Sequence, residues 1–118
     1  VVEATPFASD ILGELKTACD AAGIRLGFYY SHWLDWEHPG GGRPHPDEFH
    51  SEPRHPKPTQ AQFEQYWQEK CLPQVTELLT DYDPVLLWFD TWAANSSEWI
   101  NAARLEELIG LVRSRRPA

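Results

Sequence analysis

Apolar residues fall into five periodic runs along the 118-residue chain. Ile11, Leu12, Leu15, Ala18, Cys19 and Ala22 form one stripe at helical spacing, and Thr5-Pro6 upstream reads as a capped helix start. Gly23 suits a left-handed cap at its end. Ile24 to Ser31 is apolar and aromatic without clean alternation, which predicts a strand buried on both faces. Thr59 and Gln62 are spaced as a capping box, and Phe63, Tyr66, Trp67, Cys71, Val75, Leu78 and Leu79 carry the next helical stripe. Pro73 lies inside that stripe and must kink or split the helix. Asp83-Pro84 turns the chain into a second strand, Val85 to Phe89. A last helix, roughly Ser97 to Arg113, presents Ile100, Leu105, Leu108, Ile109 and Val112.

Between the first strand and the second helix, residues 32–58 hold six prolines, a Gly-Gly-Gly run and five histidines, a composition that predicts a loop. The order is therefore α-β-α-β-α. Strands alternating with helices predict a parallel α/β sheet, with chemistry at the C-terminal strand ends. Two strands cannot close a barrel, and a full (β/α)8 domain takes about 250 residues. Residues 1–118 are thus expected to be the central part of a (β/α)8 TIM-like barrel. The absence of Met from the sequence adds to the expectation of a longer parent.

The formal charge of -8, from 10 basic and 18 acidic residues, argues against a nucleic-acid partner. Arg113, Arg115 and Arg116 form the one basic cluster, placed where cations favour a helix C-terminus. No apolar run approaches the ~20 residues of a membrane span. Cys19 and Cys71 sit at apolar helix positions without CxxC spacing and read as buried thiols. Asn95-Ser96-Ser97 matches an N-glycosylation acceptor, which has meaning only in a secreted eukaryotic protein.

Chemistry concentrates at Val85-Leu86-Leu87-Trp88-Phe89-Asp90-Thr91-Trp92, a strand ending in a carboxylate between tryptophans. Desolvating a carboxylate is costly, so one placed there usually has work to do. Flat aromatic faces beside an acid or nucleophile are what a sugar-processing site needs. Leu86, Trp88 and Asp90 share one face of the strand, Leu87 and Phe89 the other. Asp90 can serve as nucleophile, general base or metal ligand, or simply cap a turn. At the end of the first strand, one of Tyr29 and Tyr30 must share the Asp90 side and the other the helix side; parity alone does not choose. Trp33, Trp36 and Trp92 are candidates for an aromatic wall, with packing at the loop base as the alternative for the first two. The histidines at 32, 38, 45, 50 and 55 match neither HxH nor HExxH spacing, so neither a metal nor another cofactor is expected. Asp35, Glu37, Asp47, Glu48 and Glu52 read as solvated loop charges.

Together these motifs resemble the catalytic domain of family 29 glycoside hydrolases, the α-L-fucosidases. The likeness runs through Ala4-Thr5-Pro6-Phe7, Asp10, Gly13 and Leu15, then Gly27-Phe28-Tyr29-Tyr30-Ser31 with Leu34-Asp35-Trp36. It continues through Leu72-Pro73-Gln74, Glu77-Leu78-Leu79 and Trp88-Phe89-Asp90. Each piece is weak alone; the ordered set is specific.

The resemblance implies a retaining exo-glycosidase releasing terminal α-L-fucose from oligosaccharides or glycoconjugates. Asp90 would be the nucleophile that forms the glycosyl-enzyme. Trp88 would line the fucose pocket, with Tyr29 rather than Tyr30 as the tyrosine on the sugar by best alignment. Trp36 and Trp92 complete the expected substrate contacts. The family's acid/base lies further along the chain than these residues, and its pocket histidines lie before Val1. Glu98 is not assigned the acid role, and the 118 residues alone are expected to lack turnover. Where the family often has Gly after the nucleophile, this chain has Thr91, which restricts the turn. The alternative is a non-catalytic carbohydrate-binding paralogue. A metal-dependent hydrolase using the His-rich loop is a third reading. A secreted, periplasmic or lysosomal parent fits the resemblance.

Overall fold

The computed structural model describes residues 6–43, 55–90 and 96–116. Its elements are α1 (Ile11–Ala21), β1 (Gly27–Tyr30), α2 (Gln60–Tyr66), a π-helical turn (Trp67–Cys71), α3 (Leu72–Asp81), β2 (Leu86–Phe89), a 3-10 turn (Ser96–Glu98) and α4 (Ala102–Arg115). The two strands pair in parallel, in the register Gly27↔Leu86, Phe28↔Leu87, Tyr29↔Trp88 and Tyr30↔Phe89. The connection between them passes through α2 and α3, as parallel pairing requires.

Helix α1 starts later than Thr5-Pro6 would place it. Asp10 is the actual cap: its carboxylate accepts from the Leu12 amide at 3.1 Å and from the Tyr82 hydroxyl at 3.1 Å. Tying the cap to the end of α3 fixes where the helix begins. Gly23 closes the helix at φ 68°, a backbone region costly for a side chain. No residue of α1 is buried, and Cys19 is only half-buried, contrary to the expected buried thiol. Its stripe is only partly covered by the described residues: Leu12 is half-buried, while Ile11 and Leu15 are exposed.

The helix around Pro73 is not split: helical backbone runs unbroken from Gln60 to Asp81, and the proline is accommodated after a π-helical turn. The Thr59–Gln62 capping box forms, with Gln62 N–H on Thr59 Oγ1 at 3.2 Å and Thr59 N–H on Gln62 Oε1 at 2.8 Å. The turn then widens over Trp67–Cys71, and α3 begins with Pro73 in its first turn, where a missing N–H costs nothing.

Packing gathers on one side of the sheet. Trp33, Phe63, Tyr66, Trp67, Cys71, Val75, Leu79, Trp99, Ile100 and Leu108 form the core, with Tyr30, Leu87 and Phe89 packed against it. Every member of the α2–α3 stripe is buried except Leu78, which is half-buried. Helix α4 departs from its expected face. Leu108 is buried, but Leu105 and Ile109 are 37% and 41% exposed. Arg104 takes the inner position instead, bonding Glu64 at 2.7 Å and the Trp99 carbonyl at 2.7 Å and lying 4.8 Å over Phe63. Arg113 and Arg115 occupy its last turn, the favourable end for cations.

Candidate active site at the strand ends

The sheet has two unlike faces. Phe28, Tyr30, Leu87 and Phe89 turn toward the helices, all half-buried. Leu86, Tyr29 and Trp88 turn the other way and are 54%, 58% and 58% exposed. Asp90 follows β2 directly and is half-buried; side-chain alternation gives it the phase of Trp88. The structure thereby supplies the phase that sequence parity lacked. Tyr29 stands beside Trp88 on the open face. Tyr30 points inward, donates to Gln74 Oε1 at 2.7 Å and meets Phe89 edge-on at 6.3 Å. Burial pushes its phenol far above the ordinary range, so it stays a neutral donor. Trp92, Thr91 and Asn95 lie outside the described residues.

The loop after β1 is more ordered than its composition suggests. Trp33 is fully buried in the core, while Trp36 is half-buried. Leu34 and Gly42 form a parallel bridge, and a Cβ on Gly42 would lie 2.6 Å from the Trp33 ring. Arg43 is 3% exposed and ties the loop together through backbone carbonyls. Its guanidinium donates to His38 at 2.9 Å, Gly41 at 2.6 Å and His55 at 3.3 Å, and also to Asp35.

Asp35 is not the solvated charge its position suggested. It pairs with Lys70 at 2.5 Å and accepts from the amides of Glu37 and His38 at 3.0 Å. Burial raises its carboxyl pKa, but Lys70 and the two amides outweigh this and hold it below the ordinary value. The described histidines also have loop roles. His38 accepts from the Gly40 amide at 3.1 Å and packs on Tyr66 at 5.2 Å; His55 Nε2 meets the Glu37 carbonyl at 3.1 Å. His45 and His50 lie outside the described residues. Among the described residues no group of three His, Cys, Asp or Glu side chains is arranged to hold a metal, and no helix is long and apolar enough to cross a membrane.

His32 was missed as more than a loop residue. It is fully buried, with its ring edge-on to Phe89 at 5.6 Å. Burial lowers its pKa to about 4, against an opposing pull from the nearby Asp90 charge. The signal was present in the sequence: Phe28, Tyr30 and His32 share one strand parity. Cys71, pushed up to about 12 mainly by burial, donates its S–H to the His32 carbonyl at 3.2 Å.

The α-L-fucosidase family model matches residues 1–117. The chain belongs to the α-L-fucosidase family. Among solved structures it resembles the α-L-fucosidase AlfC from Lactobacillus casei in complex with the α-L-fucose product, with 30% identity and a TM-score of 0.74. That match covers 99% of this chain and 37% of the fucosidase. An aspartate-to-alanine mutant of AlfC with 4-nitrophenyl α-L-fucopyranoside matches at 29% identity and TM-score 0.74, covering 99% of this chain and 38% of that one. An aspartate-to-alanine AlfC with Fuc-α(1,6)-GlcNAc matches at 30% identity and TM-score 0.72, with the same 99% and 38% coverage. No curated protein matches the chain. It spans less than two fifths of the length of these fucosidases, and its likeness is to glycoside hydrolases throughout.

Proposed function

We propose that this chain is the nucleophile-bearing part of a (β/α)8 barrel that hydrolyses terminal α-L-fucosides with retention of configuration. The observation that carries the reading is Asp90 at the C-terminal end of β2, in phase with Trp88, whose ladder partner is Tyr29. Strand ends are where α/β barrels keep their chemistry. The open face of Leu86, Tyr29 and Trp88 is apolar and exposed, as expected of a surface that the rest of the barrel and the sugar would cover. Fucosylated oligosaccharides or glycoconjugates are the proposed substrates. The solved relatives with a fucoside and with Fuc-α(1,6)-GlcNAc support that choice.

The chemistry follows from the residue types. The Asp90 carboxylate attacks the anomeric carbon as the glycosidic C–O bond breaks, and a carboxylic acid elsewhere in the parent protonates the departing oxygen. A covalent glycosyl ester results. That second group then takes a proton from water, which attacks the same carbon, releases fucose and restores Asp90. Retention requires the two carboxyl groups to stand about 5–5.5 Å apart. Trp88 and Tyr29 would present an aromatic face and a hydroxyl to the sugar. Trp36 and Trp92 are proposed further contacts. Tyr30, bound to Gln74 behind the sheet, fits a support for β1 better than a sugar contact.

The test uses the full-length parent. Asp90→Ala or Asp90→Gly should abolish turnover of an aryl α-L-fucoside, and azide should partly restore it by filling the space of the missing carboxylate. Undiminished turnover would refute the assignment. Sugar binding without hydrolysis in the wild-type parent would favour the non-catalytic paralogue instead.

A further inference from the structure

We propose that His32 is a positioning residue for Asp90, acting from behind the sheet across Phe89. The proposal rests on the reading of Asp90 as nucleophile. Three independent features of the structure meet at this imidazole. It continues the inward phase of Phe28 and Tyr30 beyond β1, so it lies behind the sheet rather than in the sugar pocket. It is fully buried, and its ring edge sits 5.6 Å from the ring of Phe89, the residue immediately before Asp90. Its backbone is fixed from the opposite side, where Cys71 in the π-helical turn donates to the His32 carbonyl at 3.2 Å. The two strand ends are thus joined by a side chain whose own position is braced from α2–α3.

A cavity of about 280 Å³ adjoins the ring, walled by Phe89 and by Leu105, Leu108, Ile109 and Val112 of α4. These walls are apolar, apart from Arg113 at the rim. The titratable and charged groups around His32 are Asp90, directly after β2, whose charge opposes the effect of burial on the ring, Arg113 of α4 in the cavity lining, and the Cys71 thiol on the His32 carbonyl. Burial favours the neutral ring over Asp90's opposing pull. An uncharged imidazole keeps a polar ring at this strand end, within electrostatic reach of Asp90, without placing there a cation that would blunt the carboxylate's attack. A purely apolar side chain would fill the space against Phe89 but remove that polarity from the strand end.

The test compares His32→Leu with His32→Asn in the full-length parent, two side chains of nearly equal size that differ in polarity. The Leu variant should lose about tenfold to hundredfold in kcat with KM within threefold, as expected for a misplaced reacting group. Its kcat/KM profile should show the acid limb moved to higher pH. The Asn variant should recover much of kcat and most of the limb position. Equal kcat in the two variants with an unmoved acid limb would overturn the proposal, as would wild-type kcat in the Leu variant. If the Leu variant does not fold, His32→Met and His32→Gln form a second near-isosteric pair read by the same criteria. Asp90→Ala run alongside separates the two claims. Activity in Asp90→Ala removes the nucleophile reading and this proposal with it. An inactive Asp90→Ala with matching Leu and Asn variants removes only the role of His32.

Discussion

Tyr29 and Trp88 are direct partners across the parallel ladder, and each is 58% exposed on the same open face. Their neighbours Tyr30 and Phe89, one residue on in each strand, are paired behind it and half-buried. One register therefore divides the four aromatics, two on the open face proposed to meet the sugar and two packed against the core.

This division predicts opposite consequences for two adjacent tyrosines in the full-length parent. Tyr29→Phe removes a hydroxyl from the proposed pocket and should lower kcat/KM by about tenfold with little change in stability. Tyr30→Phe removes the bond to Gln74 and should cost about 1 kcal/mol of stability while leaving kcat/KM within threefold. Steady-state kinetics and urea midpoints on both variants check the pair. The reverse pattern would mean that the face assignment is wrong.

Acid should destabilise the parent through His32. The unfolded chain's imidazole titrates at 6.5, whereas burial holds the folded one at about 4, so the unfolded state binds the extra proton between those values. The contribution is fully present above pH 6.5 and is lost as pH falls toward 4, at most about 3 kcal/mol. His32→Asn should flatten the fall of stability across this window. Asp35 and Glu64, held below their ordinary 3.8 and 4.5, lose their contributions toward and below the acid end of this window, and the comparison of variant with wild type subtracts both. Urea midpoints at several pH values, wild type against variant, measure the difference.

Arg43 should not be replaceable by lysine. Its planar fork reaches carbonyls of Asp35, His38, Gly41 and His55 at once, which one ammonium cannot do. Arg43→Lys should cost about 2–4 kcal/mol, because buried carbonyls lose their donors. The cost should be visible in the denaturation midpoint, together with easier proteolysis of the 35–43 loop.

Cys71 should resist alkylation in the native parent. Its thiol is fully buried and pushed up to about 12, so almost no thiolate forms near neutral pH. Mass-spectrometric mapping after iodoacetamide treatment should find it unmodified until the protein is unfolded.

Much of this architecture is legible in the residues because local rules and tertiary packing agree. The Thr59–Gln62 box, the irregular turn ahead of Pro73, the Gly23 cap and the stripe from Phe63 to Leu79 each follow from local chemistry that any fold must respect. The failures have a common cause in long-range partners. The start of α1 is fixed by the Asp10–Tyr82 contact, 72 residues apart in sequence. The loop after β1 reads as structureless because its order comes from Arg43 and Lys70 rather than from periodicity. Leu105 and Ile109 match a helical stripe, yet Arg104 occupies the inner face because Glu64 and the Trp99 carbonyl satisfy it. At the strand ends, parity groups Trp88 with Asp90, but only the register with β1 puts Tyr29 beside Trp88. His32 was overlooked because its importance lies in Phe89 and Asp90, more than fifty residues away along the chain.

The central claim is that Asp90 becomes covalently bonded to the sugar. Its most direct test is to treat the full-length parent with a fluorinated α-L-fucosyl substrate that slows release of the glycosyl-enzyme, then digest it and map the adduct by mass spectrometry. A fucosyl label on the peptide containing Asp90, located to that residue by fragmentation and absent after Asp90→Ala, is the predicted result. A label on a different carboxylate, from an enzyme that the reagent inactivates, would contradict it.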